Sequence, residues 1–98
     1  MSQTCTVVVP ITPLEGVRGQ VLALFDELMP DITRGAGVLK YELCERVDGG
    51  LVLIEEWESR DAWQAHFEWE AIKRLKAELP ALVEMPVERW EMYAHRGV

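Results

Sequence analysis

Two adjacent carboxylates, Glu55 and Glu56, end an apolar run and have the clearest potential for acid–base chemistry. Successive side chains of a strand point to opposite faces, so one of the two must point inward. A carboxyl group buried there would have a raised pKa and could act as an acid or a base. The alternative is an interface salt bridge with an arginine such as Arg46 or Arg89. The sequence leaves open which carboxylate faces inward.

His66 is the second candidate, because it follows Trp63 and precedes Phe67 on a predicted helix. The unperturbed pKa of a histidine side chain lies near neutrality, which suits a general base. A histidine packed at a helix end with one hydrogen bond is an equally open interpretation. His66 and Glu70 are four residues apart and could share a metal, but two ligands without a third do not make a site. We therefore expect no metal.

The bulk properties of the chain exclude several functions. The 98 residues predict a single domain, 1–98, with a formal net charge of −7 from 17 acidic and 10 basic side chains. An acidic surface repels phosphate backbones, so nucleic acid is not an expected partner. Cys5 and Cys44 are too few for a disulfide scaffold and are interpreted as reduced thiols. No phosphate loop, dinucleotide-binding glycine pattern or nucleophile elbow is present.

The absence of a signal-like or membrane-spanning stretch predicts a cytoplasmic protein without a membrane partner.

Residues 4–11 are rich in β-branched types and predict a first strand that ends or becomes irregular near Pro10. Pro13 suits the first turn of a helix. An apolar stripe at spacings of three and four supports that helix, which ends at Gly35: Val17, Val21, Leu22, Phe25, Leu28, Met29 and Ile32.

The second half of the chain predicts three strands and a further helical region. Residues 38–46 alternate, with Leu39, Tyr41 and Leu43 on one face, and the hairpin signal at 48–50 leads into a central strand over 51–57. Ser59 is a good N-cap for helical structure over 60–79, either one helix or two with a kink near Trp69. The last strand is expected at about 86–94.

The order strand, helix, strand, strand, helix, strand predicts an α+β fold of the ferredoxin-like βαββαβ type. Its four strands form one antiparallel sheet with both helices on one face. The third and fourth strands have large apolar residues on both faces, so the uncovered face needs a partner. A second copy of the chain is the commonest solution, which predicts a homodimer.

The segment from Gly37 to Phe67 resembles the antibiotic biosynthesis monooxygenase family. The most specific part is the run Glu-x-Trp-x-Ser…Ala-x-x-Ala-His between Glu55 and His66, and the resemblance covers almost the whole chain. It implies a dimeric α/β barrel. Similar members oxidise quinols, anthrones or related polycyclic aromatics with dioxygen and use no cofactor, whether flavin, haem or metal.

The resemblance also assigns residues to the site. Trp57 matches the strand-end tryptophan that lines the pocket of the polyketide-oxidising members, and Trp63 stands where they have a tyrosine. His66 matches the histidine of the quinol-oxidising branch. Leu53 stands where the polyketide branch has an asparagine, which argues against anthrone chemistry. The stretch 73–76 lacks the iron-ligating histidine of the haem-degrading branch, so haem cleavage is not expected.

These residues combine into a hypothesis of a cofactor-independent monooxygenase. Aromatic walls would shield an electron-rich substrate anion from water while dioxygen reacts. His66 would be the base, and the aromatic walls would come from Tyr41, Trp57, Trp63 and Phe67. Of these residues Trp57 is assigned with His66 to the catalytic group, and the others are assigned with Leu53 to substrate binding. The alternatives are a non-catalytic ligand-binding dimer, or an isomerase or lyase acting on a small oxygenated metabolite.

Overall fold

A computed structural model describes residues 3–97 and shows the predicted α+β ferredoxin-like arrangement. Four antiparallel strands lie in the order β2-β3-β1-β4, with the helices packed on one face. In chain order the elements are β1 (Cys5–Ile11), α1 (Arg18–Thr33), β2 (Val38–Glu45), β3 (Leu51–Trp57), α2 (Arg60–Ala65), α3 (Glu70–Glu78) and β4 (Trp90–Tyr93). Short 3-10 turns at His66–Glu68 and Leu79–Ala81 follow α2 and α3.

The inner face of the sheet, which the helices cover, is formed by alternate residues of the two central strands. Those residues are all buried: Cys5, Val7, Val9 and Ile11 from β1, and Leu51, Leu53, Glu55 and Trp57 from β3. Helix α1 packs here through Val21, Leu24, Phe25, Leu28 and Ile32. The predicted stripe is thus confirmed for four of its residues, and Leu24 joins it.

The region 60–79 contains two helices, which resolves the alternative that the sequence left open. Ser59 caps α2, since its hydroxyl accepts a hydrogen bond from the Ala62 amide at 3.1 Å. Trp69 adopts an extended backbone with φ −72° and ψ 143°, which interrupts the helix before α3. Its ring lies against Gly35, where an added Cβ would come within 1.8 Å of the indole. Gly35 is therefore required for this packing.

Two predicted features of the first half are wrong. Pro13 does not begin the helix, because it forms an isolated bridge with Val83 and α1 starts only at Arg18. Leu39 does not share the buried face of Tyr41, because the pairing of β2 with β3 shifts register between Val38 and Lys40. The shift leaves Leu39 exposed.

The last strand is shorter than predicted. Only Trp90–Tyr93 pairs with β1, whereas residues 86–89 lie outside the sheet. Proline lacks the N–H that a ladder needs, which is consistent with the unpaired chain at Pro86. β1 also passes beyond β4, so Pro10 lies in a part of β1 that β4 does not reach.

The outer face of the sheet, opposite the helices, has an apolar centre. Its apolar residues alternate with those of the inner face: Val8, Val52, Ile54, Trp90 and Met92. Trp90 and Met92 are exposed, and the other three are half-buried. This arrangement matches the prediction that the sheet has large apolar residues on both faces.

Candidate functional site

A cavity of about 470 Å³ lies between the inner face of the sheet and the helical region 60–80. The segment between α3 and β4 closes one side, because alternate residues from Val83 to Glu91 line the cavity. Five of the six residues expected in the site line it as well: Tyr41, Leu53, Trp63, His66 and Phe67. The structure therefore brings together residues from β2, β3 and the α2 region.

Glu55 is the buried carboxylate of the pair at the end of β3. It lines the cavity at 4% exposure, whereas Glu56 lies on the other face. The indole Nε1–H of Trp57 donates a hydrogen bond to Glu55 Oε1 at 2.9 Å. Burial raises the pKa of Glu55 from 4.5 to about 7, although the Trp57 hydrogen bond and the charge of Arg89 oppose that rise. Near neutrality the carboxyl group can therefore both accept and release a proton.

Trp57 differs from the expectation that it forms a pocket wall. It is fully buried and lies outside the set of residues that line the cavity. Its ring contacts those of His66 and Trp69 at centroid distances of 4.5 and 5.9 Å. Trp57 thus positions the Glu55 carboxylate through its hydrogen bond. The catalytic role of Trp57 stays a prediction.

His66 lies at the end of α2, where it lines the cavity and is buried. Its Nδ1 bonds to the backbone carbonyl of Trp63. A carbonyl only accepts, so Nδ1 carries the hydrogen and Nε2 keeps its lone pair. Burial lowers the pKa of His66, outweighing the hydrogen bond to Trp63. The neutral ring can therefore accept a proton, but more weakly than an unburied histidine.

The aromatic wall of the cavity is formed by Trp63 and Phe67. Their rings meet edge to face at 5.2 Å and 74°, an arrangement that aromatic pairs favour. The Arg89 guanidinium lies 5.3 Å from the centroid of each ring, and Lys76 Nζ lies 5.6 Å from that of Phe67. Both cations also line the cavity.

Tyr41 lies directly opposite Glu55 in the β2–β3 ladder, so the two side chains are neighbours on the inner face. Burial, and secondarily the nearby Glu55, raise the pKa of the Tyr41 hydroxyl. That hydroxyl stays protonated at neutral pH. It can therefore donate a hydrogen bond to a ligand oxygen in the cavity.

His66 and Glu70, the pair considered as metal ligands, differ in their exposure. Glu70 is exposed at the start of α3, whereas His66 is buried in the cavity wall. Across residues 3–97 no group of three or more His, Cys, Asp or Glu side chains is arranged to hold a metal ion. Within the same range no helix is long and apolar enough to cross a bilayer.

Sequence reasoning named five of the lining residues but left Glu55 undecided and did not place Lys76 or Arg89 in the pocket. A usable signal existed for Glu55. Leu53 and Trp57 were both expected on the pocket side, and Glu55 stands between them with the same strand parity. The two cations come from α3 and from the unpaired segment before β4. The alternation of side chains along β3 therefore does not predict where these two cations lie.

The fold and the site together define a class of protein: a ferredoxin-like α+β domain whose sheet and helices enclose an aromatic pocket with a buried carboxylate. The family model for antibiotic biosynthesis monooxygenase matches residues 4–78. That match spans most of the chain, so the protein belongs to the antibiotic biosynthesis monooxygenase family. No curated protein matches the chain.

Several solved structures share the fold of this chain. Rv0793 from Mycobacterium tuberculosis is 25% identical with a TM-score of 0.89, over 96% of this chain and 97% of that chain. SO0527 from Shewanella oneidensis is 27% identical with a TM-score of 0.81, over 96% of each chain. SnoaB, a cofactor-independent oxygenase from Streptomyces nogalater, shares the fold at 19% identity and a TM-score of 0.84, over 99% and 98%.

Proposed function

We propose that this protein is a cofactor-independent monooxygenase that oxidises a quinol-like or polycyclic aromatic substrate with dioxygen. The observation that supports it best is the carboxylate of Glu55 in the wall of an aromatic-lined cavity, with its pKa raised to about 7. Family membership and the cofactor-independent oxygenase named among the solved structures point in the same direction.

The reaction needs a base and a dry pocket. In the proposed step Glu55 removes a hydroxyl proton from a hydroquinone, with the neutral His66 as a second acceptor. The electron-rich anion then reduces dioxygen. One oxygen atom enters the ring, the other leaves as water, and the substrate supplies all four electrons as it becomes a hydroxyquinone. The apolar surface of Leu53, Trp63 and Phe67 keeps bulk water away from the anion.

The proposal is tested by measuring oxygen uptake with hydroquinones and anthrones, with an anaerobic control. Uptake should depend on Glu55, and kcat/KM should rise with pH until it levels above about 7, where the carboxylate is ionised. A Glu55→Gln variant keeps the shape but not the base, and it should remove this pH limb. Oxygen uptake by that variant at the wild-type rate would contradict the assignment of the base.

The roles of His66 and Trp57 are tested in the same assay. His66→Ala removes the second acceptor, and Trp57→Phe removes the donor that holds Glu55. If both variants consumed oxygen as fast as the wild-type protein, neither residue would take part. Turnover without oxygen would instead indicate an isomerase or lyase, and saturable binding without turnover would indicate a ligand-binding protein.

We further propose that the protein is a homodimer joined through the outer face of its sheet. That face has an apolar centre with Trp90 52% and Met92 41% exposed, and a second copy would remove these side chains from water. Lys40 and Glu56 lie opposite each other in the β2–β3 ladder on the same face, so this face offers both signs of charge beside its apolar centre, as a self-complementary twofold interface requires.

Light scattering after size-exclusion chromatography tests the dimer. Trp90→Glu places a charge in the apolar centre and should shift the mass from dimer to monomer. Val47→Glu is the matched control, because Val47 is an exposed apolar residue in the β2–β3 turn. A monomeric wild-type protein, or a Trp90→Glu variant that stays dimeric, would contradict the proposed interface.

A further inference from the structure

The distribution of ion pairs over the molecule leaves two unpaired cations at the cavity. Within the described residues, six of the ten basic side chains lie within 4.0 Å of an acidic partner: Arg18, Arg34, Arg46, Arg60, Lys73 and Arg74. Lys76 and Arg89 are among the other four, and both line the cavity. Both side chains are exposed, so they lie at the rim of the cavity, and they are positively charged in a chain whose net charge is −7.

The acidic side chains of the cavity do not balance these cations. Glu91 is engaged by Arg60, whose Nε and Nη2 donate to the same carboxylate oxygen at 3.0 and 2.9 Å. Glu55 is only partly ionised near neutrality, because burial raises its pKa to about 7. The buried His66 is neutral at that pH. The cavity therefore has a net positive charge in an acidic protein.

Phe67 and Trp63 hold the two cations at the aromatic wall. Arg89 lies 5.3 Å from the centroid of each ring, and Lys76 lies 5.6 Å from that of Phe67. A planar ligand packed on these rings would bring a substituent at its edge toward both charges. Arginine offers a planar fork that suits a carboxylate, and lysine adds a second donor.

We propose that the cavity takes an aromatic substrate bearing a carboxylate, which Lys76 and Arg89 bind while the rings hold the aromatic body. This inference rests on the proposed function, since it specifies the substrate class of the same site. It assigns Lys76 and Arg89 as substrate-binding residues. It also separates recognition from chemistry: the two cations hold the carboxylate, and Glu55 takes the proton elsewhere on the ring.

Isothermal titration calorimetry with 2-naphthoate and 2-naphthamide tests the proposal without any turnover. The two probes match in shape and differ in charge. The wild-type protein should bind the naphthoate about tenfold more tightly, as expected for two rim charges that contribute modestly each. The double variant Lys76→Met/Arg89→Met should lose this preference, while its affinity for the naphthamide stays within about twofold.

Two further variants control for charge and for shape. Lys73→Met/Arg96→Met removes two cations that do not line the cavity, and it should keep the preference. Lys76→Arg/Arg89→Lys retains both charges, so most of the preference should remain. Equal binding of the two probes by the wild-type protein, no binding of either, or an unchanged preference in the Met double variant would overturn the proposal.

These outcomes are independent of catalysis. If the charge preference is found but no hydroquinone or anthrone consumes oxygen, the proposed function fails and the carboxylate site stands. If oxygen is consumed and the two probes bind equally, the monooxygenase stands and the carboxylate site fails.

Discussion

Replacing Glu55 by glutamine should change how the stability of the protein depends on pH. The carboxyl group has a pKa of 4.5 in an unfolded chain and about 7 in the folded protein, where burial disfavours its charged form. Between these values the folded state binds more protons than the unfolded state. The free energy of unfolding contributed by this group therefore falls as the pH rises.

The size of the effect follows from the two pKa values. Each pH unit between them corresponds to about 1.4 kcal/mol, so the full window amounts to about 3 kcal/mol. The stabilising contribution is fully present below pH 4.5 and is lost once the pH exceeds about 7. Glutamine cannot ionise, yet its side-chain oxygen can still accept the Trp57 hydrogen bond. The variant should match the wild-type protein near pH 4.5 and exceed it by about 3 kcal/mol near pH 8.

Urea unfolding followed by tryptophan fluorescence measures this difference. Measurements at pH values of about 4.5, 6, 7 and 8 cover the range between the unfolded and folded pKa of Glu55. Protein concentration and ionic strength are held constant, so that any association stays comparable. Glu56→Gln, on the same strand and the opposite face, reports the general effect of removing one carboxylate. If the difference between Glu55→Gln and wild type did not change with pH, the raised pKa would be refuted.

Three further substitutions have expected outcomes. Gly35→Ala should lower the free energy of unfolding by more than about 1 kcal/mol, because its Cβ would overlap the Trp69 ring. Gly19→Ala is the matched substitution in the open part of α1 and should raise it by about 0.5–1 kcal/mol, and urea unfolding measures both. Trp57→Phe removes the hydrogen bond that lowers the pKa of Glu55, so the rise of kcat/KM should move to higher pH. An unmoved profile would contradict that coupling.

The strands and helices of this protein follow closely from local sequence patterns. The β-branched run before Pro10 and the apolar run before Glu55 both form strands, and Ser59 caps its helix as expected. These features depend on residues that are near one another in the chain. The face to which a strand side chain points and the capping of a helix both depend on nearby residues, so the sequence predicts them well.

Features that depend on contacts across the fold could not be predicted. Leu39 is displaced by a register shift, which the alternation of β2 does not reveal. Trp57 has the parity of a pocket residue but lies deeper than the wall, because His66 and Trp69 pack against its ring. Parity gives the face of a strand and not the depth of a side chain. The depth depends on what the distant helices place above it.

Glu55 affects both the stability of the fold and the proposed chemistry. A buried carboxylate that ionises near pH 7 destabilises the folded state just where the protein would work, and a neutral side chain there would avoid this penalty. Trp57 and Arg89 lower the penalty without removing it, because burial remains the largest effect on the pKa. A group placed at such a cost, in the wall of a cavity and near unpaired cations, has the properties expected of an acid–base residue. The pH slope of Glu55→Gln therefore measures the same property on which the proposed chemistry depends.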